Sequence, residues 1–361
     1  AGTERNRDCH QDHGDVVDHL GSGVNIMSAI QQTLASLGGA PRLFPAFQAA
    51  LANANTVPVE VVCIGDSITE GYNATVRRTD GYVGKLRTYY QNLYGDGGYG
   101  FIPTYAADAA YPYPWAYSAG WNDGTPAGEG YAPFNSVKWG GDAGGITATI
   151  TIPCTSFDIL WVRNSFTTNQ WSYTVDGGAA NNVSQSTSGS IVYEKTTHSG
   201  LSDANHTIVI TCSSSGYFFL VGIVAKKGTS GIRFHNIGLS GVGTSSYASQ
   251  AERVKWVSAI QPQLTTVCLD TNDFSAQTAL ATFNASYDRI IAEGVLSGDV
   301  LAIGCPLQST TRAITMAQYH AEILTAANDN GGQMYDFITS WVSYANASAQ
   351  GWNDDGTHPS T

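Results

Sequence analysis

The 361-residue sequence predicts a doubly wound α/β domain interrupted by an antiparallel β-domain, and two changes of hydrophobic period carry that prediction. Near Val59, and again beyond Gly231, short β-branched apolar runs alternate with amphipathic segments. That alternation is the pattern of a parallel sheet covered on both faces by helices. From about 105 to 230 the apolar residues instead recur at every second position, and turn clusters such as Asp176-Gly177-Gly178 divide the runs, as in antiparallel hairpins.

Taken in order, residues 1–57 give a polar start followed by NIMSAIQQTLASL and FPAFQAALANA, two helix-like segments separated by GGAPR. This part is expected to form a stalk, a docking arm or a packed cap. Its DCHQDHGDVVDH stretch gathers His10, His13 and His19 with four aspartates, but the spacing matches no zinc signature and no metal is assigned. VEVVCIG then reads as a buried strand and GYVGKLRTYYQNLYG as a helix. The interrupting segment supplies ITATITIP, FDILWVRN, QWSYTVDGG, SIVYEKTT, HTIVITCSS and YFFLVGIVAKK as strands, which predict a β-sandwich. Its leader, YPYPWAYSAGWNDG, places Trp115 and Trp121 on loops, where flat aromatic faces either stack on sugars or pack over the sandwich. Beyond it, RFHNIGL, TTVCLD, DVLAIGCP and QMYDFI read as strands separated by the helical YASQAERVKWVSAIQ, ALATFNASYDRIIAEG and MAQYHAEILTAANDNG. The domains expected are 1–57, then 58–104 with 231–361, and the insertion 105–230.

A formal net charge of −12 and a sequence pI near 4.9 exclude a phosphate backbone or an anionic membrane surface as partner, since both are held by clustered Lys and Arg. No apolar stretch is long enough to span a bilayer. Few charges amid plentiful Gly, Ser, Thr, Asn, Tyr and Trp suit an extracellular β-rich protein that handles neutral ligands. Cys63, Cys268 and Cys305 fall inside predicted strands as buried thiols, whereas Cys154 and Cys212 either pair or stay free. The start at Ala1 and the stop three residues after His358 suggest a piece of a longer chain.

Chemistry concentrates where predicted strands end. Ser67 follows VEVVCIG by one residue, as a helix cap or as a nucleophile would. Near the C-terminus, GWNDDGTHPST sets Asp355 three residues before His358, a base with a carboxylate able to fix its tautomer; Asp354 is the second carboxylate within reach. Ser240-Gly241-Val242-Gly243 follows the RFHNIGL strand and can bring a backbone N–H to a ligand. Asp270-Thr271-Asn272-Asp273 follows TTVCL and offers a side-chain amide.

In that order, GDSITEG, LSGVGT, DTND and DGTHP resemble the four sequence blocks of the SGNH hydrolases, also called GDSL esterases. The resemblance covers roughly 57–104 and 231–361. It implies a flavodoxin-like parallel sheet, here with an inserted β-sandwich or jelly-roll, and a serine esterase that needs no cofactor. It assigns Ser67 as nucleophile, His358 as general base and Asp355 as its orienting carboxylate, with Ser67, Gly241 and Asn272 forming the oxyanion hole. Asp270 stands where the family usually has glycine, which places it as a candidate substrate contact beside Trp115 and Trp121. Large β insertions resemble those of esterases that remove acetyl groups from polysaccharides, including bacteriophage tail proteins. The expected substrate is therefore an acylated polysaccharide or glycan, met outside the cell by a secreted or virion-associated protein. The N-terminal segment would engage other virion or cell-surface proteins. A glycan-binding or structural virion module on the same scaffold, and a lipase or thioesterase using the same site, are the alternatives.

Overall fold

Val61, Val62, Cys63 and Ile64 are wholly buried, so β1 (Pro58–Gly65) has no face to turn to water and must be covered on both sides. The computed structural model describes residues 44–123, 138–140, 144–163, 170–186, 188–189, 191–212, 217–248, 257, 260–306, 308–338, 343–349 and 357–358. The metal reading of His10, His13 and His19, the first predicted helix and most of YASQAERVKWVSAIQ lie outside them.

In chain order the helices are α1 (Pro45–Leu51), α2 (Ser67–Glu70), α3 (Tyr82–Tyr94), α4 (Thr244–Ala248), α5 (Thr271–Ala276), α6 (Leu280–Val295), α7 (Met316–Asp329) and α8 (Tyr344–Ala349). β1 pairs in parallel with β11 (Gly231–Gly238) on one side and with β12 (Leu264–Cys268) on the other; β13 (Asp299–Gly304) and β14 (Gln333–Asp336) follow outward. Numbered within this sheet alone, the order is 2-1-3-4-5, the flavodoxin-like arrangement in which ligands collect beyond the carboxyl ends at the point where the strand order reverses. That point is β1.

Alternate residues of each strand serve opposite faces. Val62, Ile64, Val267, Val300 and Ala302 pack with Phe283, Tyr287 and Ile291 of α6 and Tyr319 and Ile323 of α7. Val61, Cys63, Leu264, Leu301 and Ile303 pack with Phe47 of α1 and Val83, Leu86 and Tyr90 of α3. α7 buries Met316, Tyr319, Ile323, Ala326 and Ala327, the spacing of one helix face, and opens on a capping box in which Thr315 and Gln318 exchange hydrogen bonds. Where β1 carries a charge it is matched by its neighbour. Glu60 sits opposite Arg233 and accepts from it and from His235 on β11. Burial alone would raise the Glu60 carboxyl, but those two partners hold it at about 2.

Among the described residues the second sheet has nine antiparallel strands: β2 (Gly100–Pro103), β3 (Ala116–Tyr117), β4 (Trp121–Asp123), β5 (Lys138–Gly140), β6 (Ile146–Arg163), β7 (Trp171–Val175), β8 (Asn181–Val183), β9 (Val192–Cys212) and β10 (Phe218–Lys226). β6 and β9 form one long ribbon with a register shift between Cys154 and Ser156. There Thr155 lies against residues 200–203 outside the regular pairing, and the inward-facing parity of β6 switches. Ile146, Ala148, Ile150 and Ile152 before the shift, and Phe157, Ile159 and Trp161 after it, all join one core with Trp171 and Phe218. The sandwich expected from the sequence is therefore built from two halves of a single hydrogen-bonded sheet. Across the fold, Trp171 on β7 stacks on Phe218 of β10 at 4.7 Å between ring centroids.

Outward-facing residues of the ribbon differ in the same way on either side of the shift. Thr149 and Thr151 face outward in the first half, whereas Leu160 and Val162 in the second half pack with Phe219, Val221 and Val224 into the core that also holds Val62, Ile64 and Tyr247 of the α/β domain. Cys154 and Cys212 are both free and buried in this sheet, so the pairing left open by their spacing does not occur. No helix among the described residues is long and apolar enough to cross a membrane.

Candidate active site

The turn that follows β1 has room for no side chain at Gly65, where a Cβ would lie 1.9 Å from Thr69 Oγ1 and 2.8 Å from the Cys268 carbonyl oxygen. The next residue, Asp66, caps α2 by accepting the Ile68 N–H at 2.9 Å. The chain thus turns sharply enough to aim Ser67 past the end of the sheet. His358 meets it there, with Nε2 2.8 Å from Ser67 Oγ. With Nδ1 carrying its hydrogen, Nε2 accepts the serine proton. Asp355 and Asp354, the carboxylates predicted to set that tautomer, lie outside the described residues.

Two loops from neighbouring strands complete the rim. After β11, Gly241 adopts φ +82°, a left-handed conformation natural to glycine. Glu70, on the turn that bears Ser67, accepts the Ser240 N–H at 2.7 Å and also the Ser240 hydroxyl, which ties this loop to α2. After β12, Asn272 donates one amide hydrogen to the Val242 carbonyl at 2.9 Å and keeps a second donor. Asp273 accepts the Thr244 N–H at 2.7 Å and its hydroxyl at 3.1 Å, clamping the two loops together. Ser67, Gly241, Asn272 and His358 line one cavity of about 210 Å³ with Tyr72, Ser240, Thr271, Ser275 and Thr357.

The remaining sequence candidates are not in it. Asp270 is fully buried and points beneath the loop, where its carboxylate accepts the Cys305 N–H at 3.0 Å and pairs with His320 at 2.9 Å. It joins the ends of β12 and β13 and does not contact substrate space, so its assignment as a substrate contact is corrected. Burial lowers the affinity of His320 for its proton, but Asp270 and Asp336 more than compensate and raise it to about 9. Trp115 is buried in the core of the second sheet, and half-buried Trp121 packs against that core while donating its indole N–H to the Thr147 carbonyl. Neither tryptophan lines the cavity; the packing alternative holds for both.

Sequence reasoning missed Tyr72 and Glu70. Tyr72 is 39% exposed at the cavity, its ring 5.3 Å from that of His358. Glu70 lies inside GDSITEG, but its partners Ser240 and Tyr111 are set by long-range packing. Among the described residues, no group of three His, Cys, Asp or Glu side chains converges as metal ligands would.

The C-terminal part of the chain, residues 196–361, matches the GDSL-like Lipase/Acylhydrolase family. That similarity takes in the part of the chain that bears Gly241, Asn272 and His358. That match begins beyond Ser67; β1 and its serine turn join the matched part through the pairing with β11 and β12. A structure of a peptidoglycan O-acetylesterase superposes with a TM-score of 0.67 at 17% identity, over 88% of this chain and 90% of that one, so the shared fold takes in both sheets. A salicylyl-acyltransferase, SsfX3, from a tetracycline biosynthetic pathway matches at TM-score 0.33 and 11% identity, over 70% of this chain and 91% of that one. A family two carbohydrate esterase from Cellvibrio japonicus matches at 0.24 and 8%, over 62% and 88%. No curated protein sequence matches the chain.

Proposed function

We propose that the protein is a serine esterase that removes small O-acyl groups, acetyl foremost, from a polysaccharide or glycan. The observation that carries this reading is Ser67 Oγ held 2.8 Å from His358 Nε2 over a cavity of about 210 Å³ whose described lining contains no aliphatic side chain larger than that of threonine. Such a cavity suits a two-carbon acyl group and gives a long alkyl chain little apolar surface beyond the Tyr72 ring to bury against. The peptidoglycan O-acetylesterase that shares the fold supports a glycan ester over a lipid.

In this reading Ser67 attacks the ester carbonyl while His358 takes its proton, then returns it to the departing sugar hydroxyl. Asp355 orients His358. The backbone N–H groups of Ser67 and Gly241 and the second amide hydrogen of Asn272 receive the oxyanion. Water, activated by His358, releases the acyl group from Ser67. No cofactor takes part.

The test is acetate release from acetylated polysaccharides, with 4-nitrophenyl acetate and 4-nitrophenyl octanoate as reporters. Acetate release and a preference for the acetate ester are expected, both lost in Ser67→Ala. Glycan binding without hydrolysis would establish the non-catalytic alternative, and a preference for octanoate the lipase.

A further inference from the structure

We infer that Arg77, beside Tyr72, forms a subsite for a carboxylate carried by the glycan, so that the enzyme prefers acylated acidic sugars; this rests on the esterase reading above. The guanidinium lies over the Tyr72 ring, 4.7 Å from its centroid, and Tyr72 in turn packs against His358 and lines the cavity. A cation therefore stands two ring contacts from the nucleophile, beside the Tyr72 wall of the cavity.

Three features make this more than a surface arginine. Its backbone is anchored, with the Arg77 N–H donating to the Ala110 carbonyl at 2.8 Å and the adjacent Val76 N–H to Asp80 at 2.9 Å. Its neighbour Arg78 is enclosed, 1% exposed, and spends its guanidinium on the carbonyls of Asn236 and Gly238 and the Tyr105 hydroxyl. Finally, among the described residues Glu70 is the buried carboxylate that acts on both guanidinium groups, and it is already shared with Ser240 and Tyr111. Its contact to Arg77 is long, 3.5 Å, and engages only part of a group with five N–H donors. Asp108, which also acts on Arg77, is exposed and accepts the Ala110 N–H. The buried part of the cluster thus holds an excess positive charge, and Arg77, with a side chain 24% exposed, brings it to solvent. On a chain with net charge −12, a forked cation beside Tyr72, next to a cavity whose described lining has no acidic side chain, selects a carboxylate, which it can bind in two-pronged fashion.

The test uses one acetylated oligogalacturonate in two forms, with free carboxylates and with those carboxylates methyl-esterified, and follows acetate release. Wild-type protein is expected to show kcat/KM about tenfold higher on the free acid, Arg77→Gln a ratio near one, and Arg77→Lys an intermediate ratio. A wild-type ratio near one, or an unchanged ratio in Arg77→Gln, would overturn the subsite. Calorimetry on Ser67→Ala protein with the corresponding de-acetylated oligosaccharides is the second arm, where the free acid should bind tighter and the difference should vanish when Arg77→Gln is added. Silence toward 4-nitrophenyl acetate would sink the esterase reading by itself, and the binding arm would still decide the role of Arg77.

Discussion

Ser67 and Asn272 each follow one of two adjacent parallel strands, and the roles proposed for them separate by what each would do to the barrier. Ser67→Ala removes one hydroxyl and should abolish turnover while leaving the melting temperature unchanged, checked by thermal unfolding beside the ester assay. Asn272→Ala should lower kcat by about 10²–10³ with KM little moved, because an oxyanion donor acts mainly once charge develops on the carbonyl oxygen. Steady-state kinetics on 4-nitrophenyl acetate reads that split, and a variant that raises KM alone would remove Asn272 from the oxyanion hole. These residues were legible in the sequence because each follows a strand whose apolar run stops abruptly. Asp270 was misread for the same reason: position after a strand does not say which way a side chain points. Its orientation depends on His320, fifty residues later on α7, which a local reading cannot see.

At the scale of elements, the short helix α2 carries an unusual cap. Burial raises the Asp66 carboxyl to about 8, with a smaller push from Asp270 and Asp273. In the unfolded chain an aspartate titrates near ~3.9. Between those values the folded protein holds a proton that the unfolded chain lacks, so this contribution to stability is full below about 4 and is lost as pH rises through 8. Asp66→Asn keeps a side-chain oxygen for the Ile68 N–H and removes the ionisation. The melting temperature of that variant should fall less than that of the wild type between pH 7 and pH 9. A parallel fall in both would mean that Asp66 is already ionised at pH 7. In the second sheet, Trp171 is the tie between the two folded halves, 1% exposed and stacked on Phe218. Trp171→Ala should destabilise the protein by about 3–5 kcal/mol, measured by denaturant unfolding. Period-two patterning announced these strands. It could not show that β6 and β9 run through both layers, because the register shift at Cys154 changes parity without changing composition.

For the whole molecule, the boundary suggested by the change of period is not a boundary in the core. Leu160, Val162, Phe219 and Val221 of the second sheet share a hydrophobic cluster with β1 and α4, and the Tyr105 and Tyr111 hydroxyls hold the Arg78 and Glu70 hub. Replacing residues 105–230 by a short linker should therefore yield protein without cooperative unfolding. A linker variant that melts sharply and hydrolyses 4-nitrophenyl acetate would show that the α/β part stands alone. Sequence reading located both sheets through their periods, but their shared interface depends on which strand face meets which, and that is decided only when the chain is assembled.

The 2-1-3-4-5 strand order also has a meaning in time. β1 emerges from the ribosome apolar but for Glu60, yet its first sheet partner, beginning at Gly231 opposite Pro58, is made much later. At about 5–20 residues per second, β1 waits roughly 10–35 s for that neighbour. During the interval the antiparallel strands, whose partners are closer in sequence, are free to close first. Until then α1 and α3 on one face, and the insertion on the other, are available to cover the nascent β1, and slow translation before Gly231 would prolong the exposure of its unpaired edges.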